Sequence, residues 1–300
     1  MTETALRSRI TDALDVPVRA EIKRLASQLA EKPGVAAVLF YGSNLRTGSL
    51  DGVLDFYVLI DGPPTERIWP RVSYREVPGD TGETLRAKIA EMTLDRFERA
   101  AGGQSRDTTI WARFVQPSAL VFARDTDIRH NVTEAIEKAA RTAGRLAAAL
   151  GPEEGTAEAY WNALFRATYT AEFRVETAGR TNAILAANPD HFAGLLPLVW
   201  EAEGIAFEQQ DNVLQPRLDA ARKARLLRWW ARRQRLGKPL NILRLAKATT
   251  TFEGAARYAA WKLERHTGLK LEVTPFRERH PLLAMPGAAW ELWRARRRQR

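Results

Sequence analysis

The chain reads as an α/β (α+β) fold, with a mixed sheet leading into a mainly helical second domain, and three observations carry that reading. Two apolar runs near the start, Val38-Leu39-Phe40-Tyr41 and Val53-Leu54-Asp55-Phe56-Tyr57-Val58-Leu59-Ile60, have the length and composition of strands. From Asp125 onward the composition shifts to Ala, Leu, Glu and Arg, with apolar residues at the helical spacing of Ile136, Ala140, Ala143 and Leu146. At 300 residues with 45% hydrophobic side chains, the chain is long enough and apolar enough to bury a sizeable core.

Taken in order, Asp15 followed by Pro17 reads as a helix start, with Ile22, Leu25, Leu29 and Ala30 as its apolar stripe and Pro33-Gly34 as its stop. The two strands follow. Leu85 to Met92 alternates like a half-exposed strand, although its residues also suit a helix. Ala101-Gly102-Gly103-Gln104-Ser105 is a loop, and Ile110 to Val115 and Ala119 to Ala123 read as strands separated by Gln116-Pro117. Gly151-Pro152-Glu153-Glu154-Gly155 breaks two helix-like runs and is the best boundary. The expected division is residues 1–150, a helical region 151–220 that contributes to the site, and a basic helical end 221–300. No internal repeat or long low-complexity tract interrupts this plan.

The chemistry begins where the first strand runs into Gly42-Ser43. A glycine permits a sharp turn whose successive N–H groups face an anion, and Ser43 adds a hydroxyl donor. Twelve residues after the serine stands Asp55, and strand alternation puts it with Tyr57 and Asp61 on one face, the polar one, while Leu54, Phe56, Val58 and Ile60 share the other. A carboxylate so placed is expected to hold Mg²⁺ against a triphosphate. The bare motif also fits a structural turn beside an edge-strand aspartate.

This pattern resembles the signature of the polymerase-β-like nucleotidyltransferase superfamily: a hydrophobic residue, Gly-Ser, a spacer of about a dozen residues, then Asp-hydrophobic-Asp/Glu. Tyr57 departs from it, because a phenol cannot share a metal as a second carboxylate does. Over roughly residues 35 to 200 the chain further resembles the mitochondrial-type CDP-diacylglycerol synthases, the translocator assembly and maintenance family of phosphatidate cytidylyltransferases. Phe40-Tyr41-Gly42-Ser43 and Leu54-Asp55-Phe56 match that family's Tyr-Gly-Ser and Asp-hydrophobic elements, and there too an apolar residue stands where Tyr57 does. Ile68-Trp69-Pro70-Arg71-Val72-Ser73-Tyr74 resembles its segment ending in Tyr. Tyr169-Thr170-Ala171-Glu172-Phe173-Arg174 resembles its Tyr-Thr-Gly-Asp-Phe-Arg run, with Ala171 and Glu172 as departures, and Asn188-Pro189-Asp190-His191-Phe192 resembles the tail of the same region.

The resemblance implies a nucleotidyltransferase fold and Mg²⁺-dependent transfer of CMP from CTP to phosphatidic acid, giving CDP-diacylglycerol and pyrophosphate. It implies Tyr41, Gly42, Ser43 and Tyr74 as nucleotide contacts, Asp55 as metal ligand and catalytic carboxylate, and Glu172 as the residue completing the metal site. Glu172 equally suits a surface pair with Arg166. Arg174 offers a planar guanidinium for a phosphate, though an exposed helix arginine is the commoner case. Lys262 and Arg265, with His266, lie along one side of a helix and are candidates for the lipid phosphate. The remaining alternatives are a nucleotidyltransferase acting on RNA or a small molecule, and an inactive nucleotide-binding protein.

Charge is divided unevenly. Residues 1–220 carry 25 Lys+Arg against 31 Asp+Glu, and residues 221–300 carry 21 against 5. All the excess positive charge therefore faces a polyanion or serves as a solubilising surface. Arg222, Lys223, Arg225, Arg228, Arg232, Arg233 and Arg235 around Leu226, Leu227, Trp229 and Trp230 suit an anionic membrane surface, with the indoles among head groups; the alternative is tryptophans in a core and arginines in solvent. Nucleic acid is the less expected partner. With no cysteine, disulfides, thiol catalysis and cysteine-based zinc sites are excluded. With no apolar run of ~18–20 residues and no apolar signal core, the expectation is a bacterial cytoplasmic enzyme, peripheral on the inner face of the membrane, rather than an imported mitochondrial one.

Overall fold

A computed structural model describes residues 2–63, 70–79, 82–106, 108–171, 184–251, 254–267 and 272–279. Strands β1 (Val35–Tyr41) and β2 (Leu54–Ile60) pair antiparallel, flanking the five-residue helix α3 (Ser43–Thr47) that follows Gly42. β3 (Arg71–Pro78) and β4 (Thr84–Thr93) form an antiparallel pair, β4 joins β2 in parallel, and β5 (Ser118–Ala123) closes the other edge. The result is a mixed five-stranded sheet of order β3-β4-β2-β1-β5, as expected of an α/β chain.

Both faces of this sheet are covered, which corrects the expectation of a polar face on β2. Leu54, Phe56 and Val58 pack with Val38 and Phe40 under α2 (Ala20–Ala30), whose Ile22, Leu25, Ala26 and Leu29 are the buried stripe. On the opposite face Tyr57 is 0% exposed and joins Phe97 and Phe114, its ring 5.3 Å from that of Phe114 in an edge-on contact. These partners come from α4 (Leu94–Ala101) and α5 (Thr109–Phe114). Apolar residues on both sides of a strand mean a sheet sandwiched between layers, so an alternation argument cannot assign one side to water.

Two local expectations also change. Asp15–Pro17 does not start a helix: α1 (Thr2–Leu14) ends before it and α2 begins only at Ala20, because proline fixes its own φ and pushes Val16 out of the helical region. Helix α1, unanticipated, buries Leu6, Ile10 and Leu14 at four-residue spacing. Ile110 to Val115 is helical rather than extended; short apolar runs fit either period, and packing of Ile110, Trp111 and Phe114 against neighbouring helices decides it.

Beyond β5 the chain is largely helical. α6 (Thr126–Leu150), capped by the Asp125 carboxylate accepting from the Ile128 N–H at 2.8 Å, packs against α4, α5 and α7 (Ala157–Ala171). The Gly151–Gly155 break separates two helices, α6 and α7, that share one apolar cluster extending from Leu6 to Trp230. Short β6 (Gly155–Thr156), α8 (Pro189–Phe192) and α9 (Leu195–Ala202) follow in the chain. A hairpin of β7 (Ala206–Gln210) and β8 (Val213–Arg217) joins β6 in a second, three-stranded sheet.

The basic end begins with α10 (Ala220–Thr251), which corrects the picture of indoles among head groups. Trp230 is 4% exposed and its ring lies 6.2 Å from that of Trp111, while Trp229 donates its Nε1–H to the Gly103 carbonyl. Arg233, stacked 3.8 Å over Trp229, donates to the Ser105 carbonyl at 2.8 Å, and burial lowers its pKa to about 10. Leu226, Trp229, Trp230, Arg233 and Gly237 thus form the inward stripe, and Arg225, Arg228, Arg232 and Arg235 face solvent. Helix α11 (Ala255–Thr267) then returns over β3, before the short α12 (Pro275–Arg279). No helix among the described residues is long and apolar enough to cross a membrane.

At the crossing of α10 on α7, a Cβ at Gly237 would stand 2.3 Å from the Ala171 carbonyl oxygen. Gly237→Val is therefore expected to destabilise the protein by about 1–3 kcal/mol, read as a lowered midpoint in urea unfolding followed by Trp fluorescence.

Candidate functional site

One rung of the sheet collects the polar side chains. Across neighbouring strands Ser118 pairs with Tyr41, Tyr41 with Asp55, Asp55 with Lys88, and Lys88 with Tyr74. In-register neighbours point to the same face, so these residues stand side by side where β1 ends and β2 begins. Arg113 of α5 lies over the Tyr41 ring at 5.3 Å, and Tyr258 of α11 meets the Tyr74 ring at 5.4 Å. The rung is thus flanked by a guanidinium at one end and a phenol at the other.

Gly42 lies immediately beyond the rung, with φ of 92° and ψ of −166°, a conformation suited to glycine. A Cβ there would stand 3.1 Å from Asp55 Oδ2, so the backbone bend and the carboxylate approach each other directly. Buried Asn44 fixes this arrangement: its side-chain amide donates to the carbonyls of Ser49 at 2.9 Å and Asp51 at 2.7 Å. These bonds tie α3 to the loop that feeds β2, so the turn and the aspartate are held by a single short segment. Ser43 is exposed at the turn, its hydroxyl donating to Asn44 Oδ1 at 3.3 Å.

Burial raises the Asp55 carboxyl above the usual carboxylate range, while the charges of Lys88 and then Arg113 oppose that rise. The negative charge of Asp55 in turn adds to the burial that makes Tyr258 a weaker acid. Tyr74 is 2% exposed and donates its hydroxyl to Glu76 at 2.9 Å; it serves the rung as a wall, and burial first, then Glu76, weaken it as an acid. Arg265 reaches the loop before β2, its Nη1 2.8 Å from where a Cβ on Gly52 would stand, and it lies 5.4 Å from the Trp261 ring.

A divalent ion fits this chemistry. A hard carboxylate oxygen suits Mg²⁺, which commonly takes one or two carboxylates and completes its shell with phosphate oxygens and water. Among the described residues no group of three or more His, Cys, Asp and Glu gathers to hold a metal, so those remaining ligands would come from substrate and solvent.

Of the residues singled out in the sequence, Tyr41, Gly42, Ser43, Asp55 and Tyr74 converge on the rung and its turn, and Arg265 lies at the adjoining loop. Glu172 and Arg174 lie outside the described residues, as do Ile68, Trp69 and the 280–300 tail. Lys262 and His266 lie on α11, but their side chains are outside what is described. Tyr57, where a second carboxylate stands in the superfamily pattern, fills the core and cannot reach a ligand. Sequence reading missed Lys88, Arg113, Tyr258 and Asn44; none has a local signature, since register and helix packing alone bring them together. No family model matches this chain, and no curated protein matches it.

Two measurements check this geometry. Gly42→Ala puts a side chain at an unfavourable φ and against Asp55, so stability is expected to fall by about 1–3 kcal/mol in chemical denaturation. For Asp55, a raised folded-state pKa means that the native state holds its proton more tightly than the unfolded chain, so ionisation costs stability. Asp55→Asn is therefore expected to melt at a higher temperature than the wild type at neutral pH. That gap should vanish below the unfolded carboxylate pKa, grow as pH rises, and level off above the folded one.

Proposed function

We propose that the protein is a nucleotidyltransferase of the polymerase-β-like fold that transfers CMP from CTP to phosphatidate, with Mg²⁺ as cofactor. The observation that supports this most is the close approach of the Gly42 bend to the Asp55 carboxylate, flanked by Lys88 and Arg113. A carboxylate and two cations around a tight glycine bend are what a metal-bridged triphosphate calls for, and Tyr41-Gly42-Ser43 and Leu54-Asp55-Phe56 resemble the motifs of the phosphatidate cytidylyltransferases.

The reaction asks little of a general base. A phosphomonoester with a second pKa near ~6 is already largely dianionic at neutral pH, so its oxygen attacks the α-phosphorus without prior proton removal. The bond from the α-phosphorus to the bridging oxygen breaks, and pyrophosphate leaves with its electron pair. Asp55 would hold Mg²⁺, which would supply charge neutralisation for that leaving group. A site with Tyr57 in place of a second carboxylate is consistent with an acceptor that needs no deprotonation.

The membrane reading has its own support. A cleft of about 480 Å³ beside α3 mixes Ile10, Ala13, Val16, Leu45 and Leu195 with Arg9, Asp12, Arg46, Asn188, Asp190 and His191, so it is not an apolar slot for the acceptor's hydrocarbon. The solvent face of α10, with Arg225, Arg228, Arg232 and Arg235, suits an anionic bilayer, at about 1 kcal/mol for each basic residue engaged. We read the protein as peripheral on such a surface.

Incubation with α-labelled CTP, Mg²⁺ and phosphatidate vesicles is expected to move label into extractable lipid with release of pyrophosphate, and Asp55→Asn to reduce this to background. Label on RNA ends with none in lipid would overturn the acceptor assignment.

A further inference from the structure

Lys88 and Arg113 approach Asp55 from two elements that the nucleotide motif does not include. Lys88 is Asp55's in-register partner on the parallel strand β4, so its side chain rises from the same face one strand spacing away, about 4.8 Å. Arg113 comes from α5, with its guanidinium 5.3 Å from the ring centre of Tyr41, the antiparallel partner of Asp55 on the other side. The carboxylate is thus bracketed along one rung. Two positions further along the same strand face, the Tyr57 ring fills the core.

We propose that Lys88 and Arg113 are the triphosphate-binding cations of this site, a clamp that holds the nucleotide independently of the metal and carries charge that one Mg²⁺ at Asp55 does not offset. The inference rests on the nucleotidyltransferase reading and extends it to residues without motif character. A triphosphate carries more negative charge than a single divalent ion cancels, and Lys and Arg are the usual complement. Tyr41 supplies a flat, polarisable seat for the guanidinium. In the transfer step, as the α-phosphorus gains the acceptor oxygen and loses the bridging one, the charge on the departing pyrophosphate develops beside permanent N–H donors.

Calorimetric titration with CTP, in Mg²⁺ and in EDTA, tests the clamp on wild type, Lys88→Met, Lys88→Gln, Lys88→Arg, Arg113→Met and Asp55→Asn, each checked for a cooperative melt. The wild type is expected to bind CTP in EDTA, more weakly than with Mg²⁺. Lys88→Met and Arg113→Met are expected to lose about tenfold or more under both conditions, and Lys88→Arg to keep most of the affinity. Asp55→Asn should lose only the increment due to Mg²⁺. If Lys88→Met fails to fold, Lys88→Gln carries the same expectation. Unchanged metal-free affinity in the folded Lys88 and Arg113 variants, or a wild type that binds CTP only with Mg²⁺, overturns the clamp while leaving the nucleotidyltransferase reading intact. A wild type that binds no nucleoside triphosphate and labels no lipid overturns both.

Discussion

The antiparallel pairing of β1 with β2 sets Tyr41 opposite Asp55, and so brings the bend at Gly42 against the carboxylate of the next strand. Everything at the rung depends on that register. A slip of one residue would send Asp55 to the face under α2, among Ile22, Leu25 and Phe40, and bring an apolar side chain into the polar row. The register is held by two apolar layers, one on each face, and by Asn44 bridging two carbonyls of the connecting loop.

The same packing that fixes the register also removes options from the site. Tyr57 belongs to a group of rings with Tyr41, Phe97 and Phe114, the last two 4.8 Å apart in an edge-on contact. A carboxylate at that position would be buried among aromatic rings at a large desolvation cost. The aromatic ring at this position adds to the core, and the charges that act on Asp55 come from Lys88 of β4 and Arg113 of α5. At Asp55 itself burial disfavours the charged carboxylate, a cost that a bound cation would offset.

The basic end takes part in the architecture as well as the surface. Helix α10 turns one stripe, from Leu226 through Trp230 and Arg233 to Gly237, into the protein and leaves its other arginines outside. Helix α11 then brings Tyr258 to the rung and Arg265 to the loop before β2. A segment whose composition points to an anionic partner or a solvated face therefore also walls the site, because tryptophans spaced along one helix face bury more apolar area inside than they would at a surface.

The sequence by itself determined the two strands around Gly42-Ser43 and Asp55, the strand at Ala119 to Ala123, the helix stripe of Ile22, Leu25 and Leu29, and the helical character of the second half. Those features are legible because they are written in local periodicity and turn chemistry, which act over a few neighbouring residues. Only the tertiary structure decided that Ile110 to Val115 coils into a helix, that the supposed polar face of β2 lies under α4 and α5, and that Trp229 and Trp230 point inward. It alone joined Lys88, Arg113 and Tyr258 to Asp55, from positions 33, 58 and 203 residues along the chain. Such partners are chosen by strand register and helix docking, through contacts between residues far apart in sequence, and a single chain of letters carries no local mark of them.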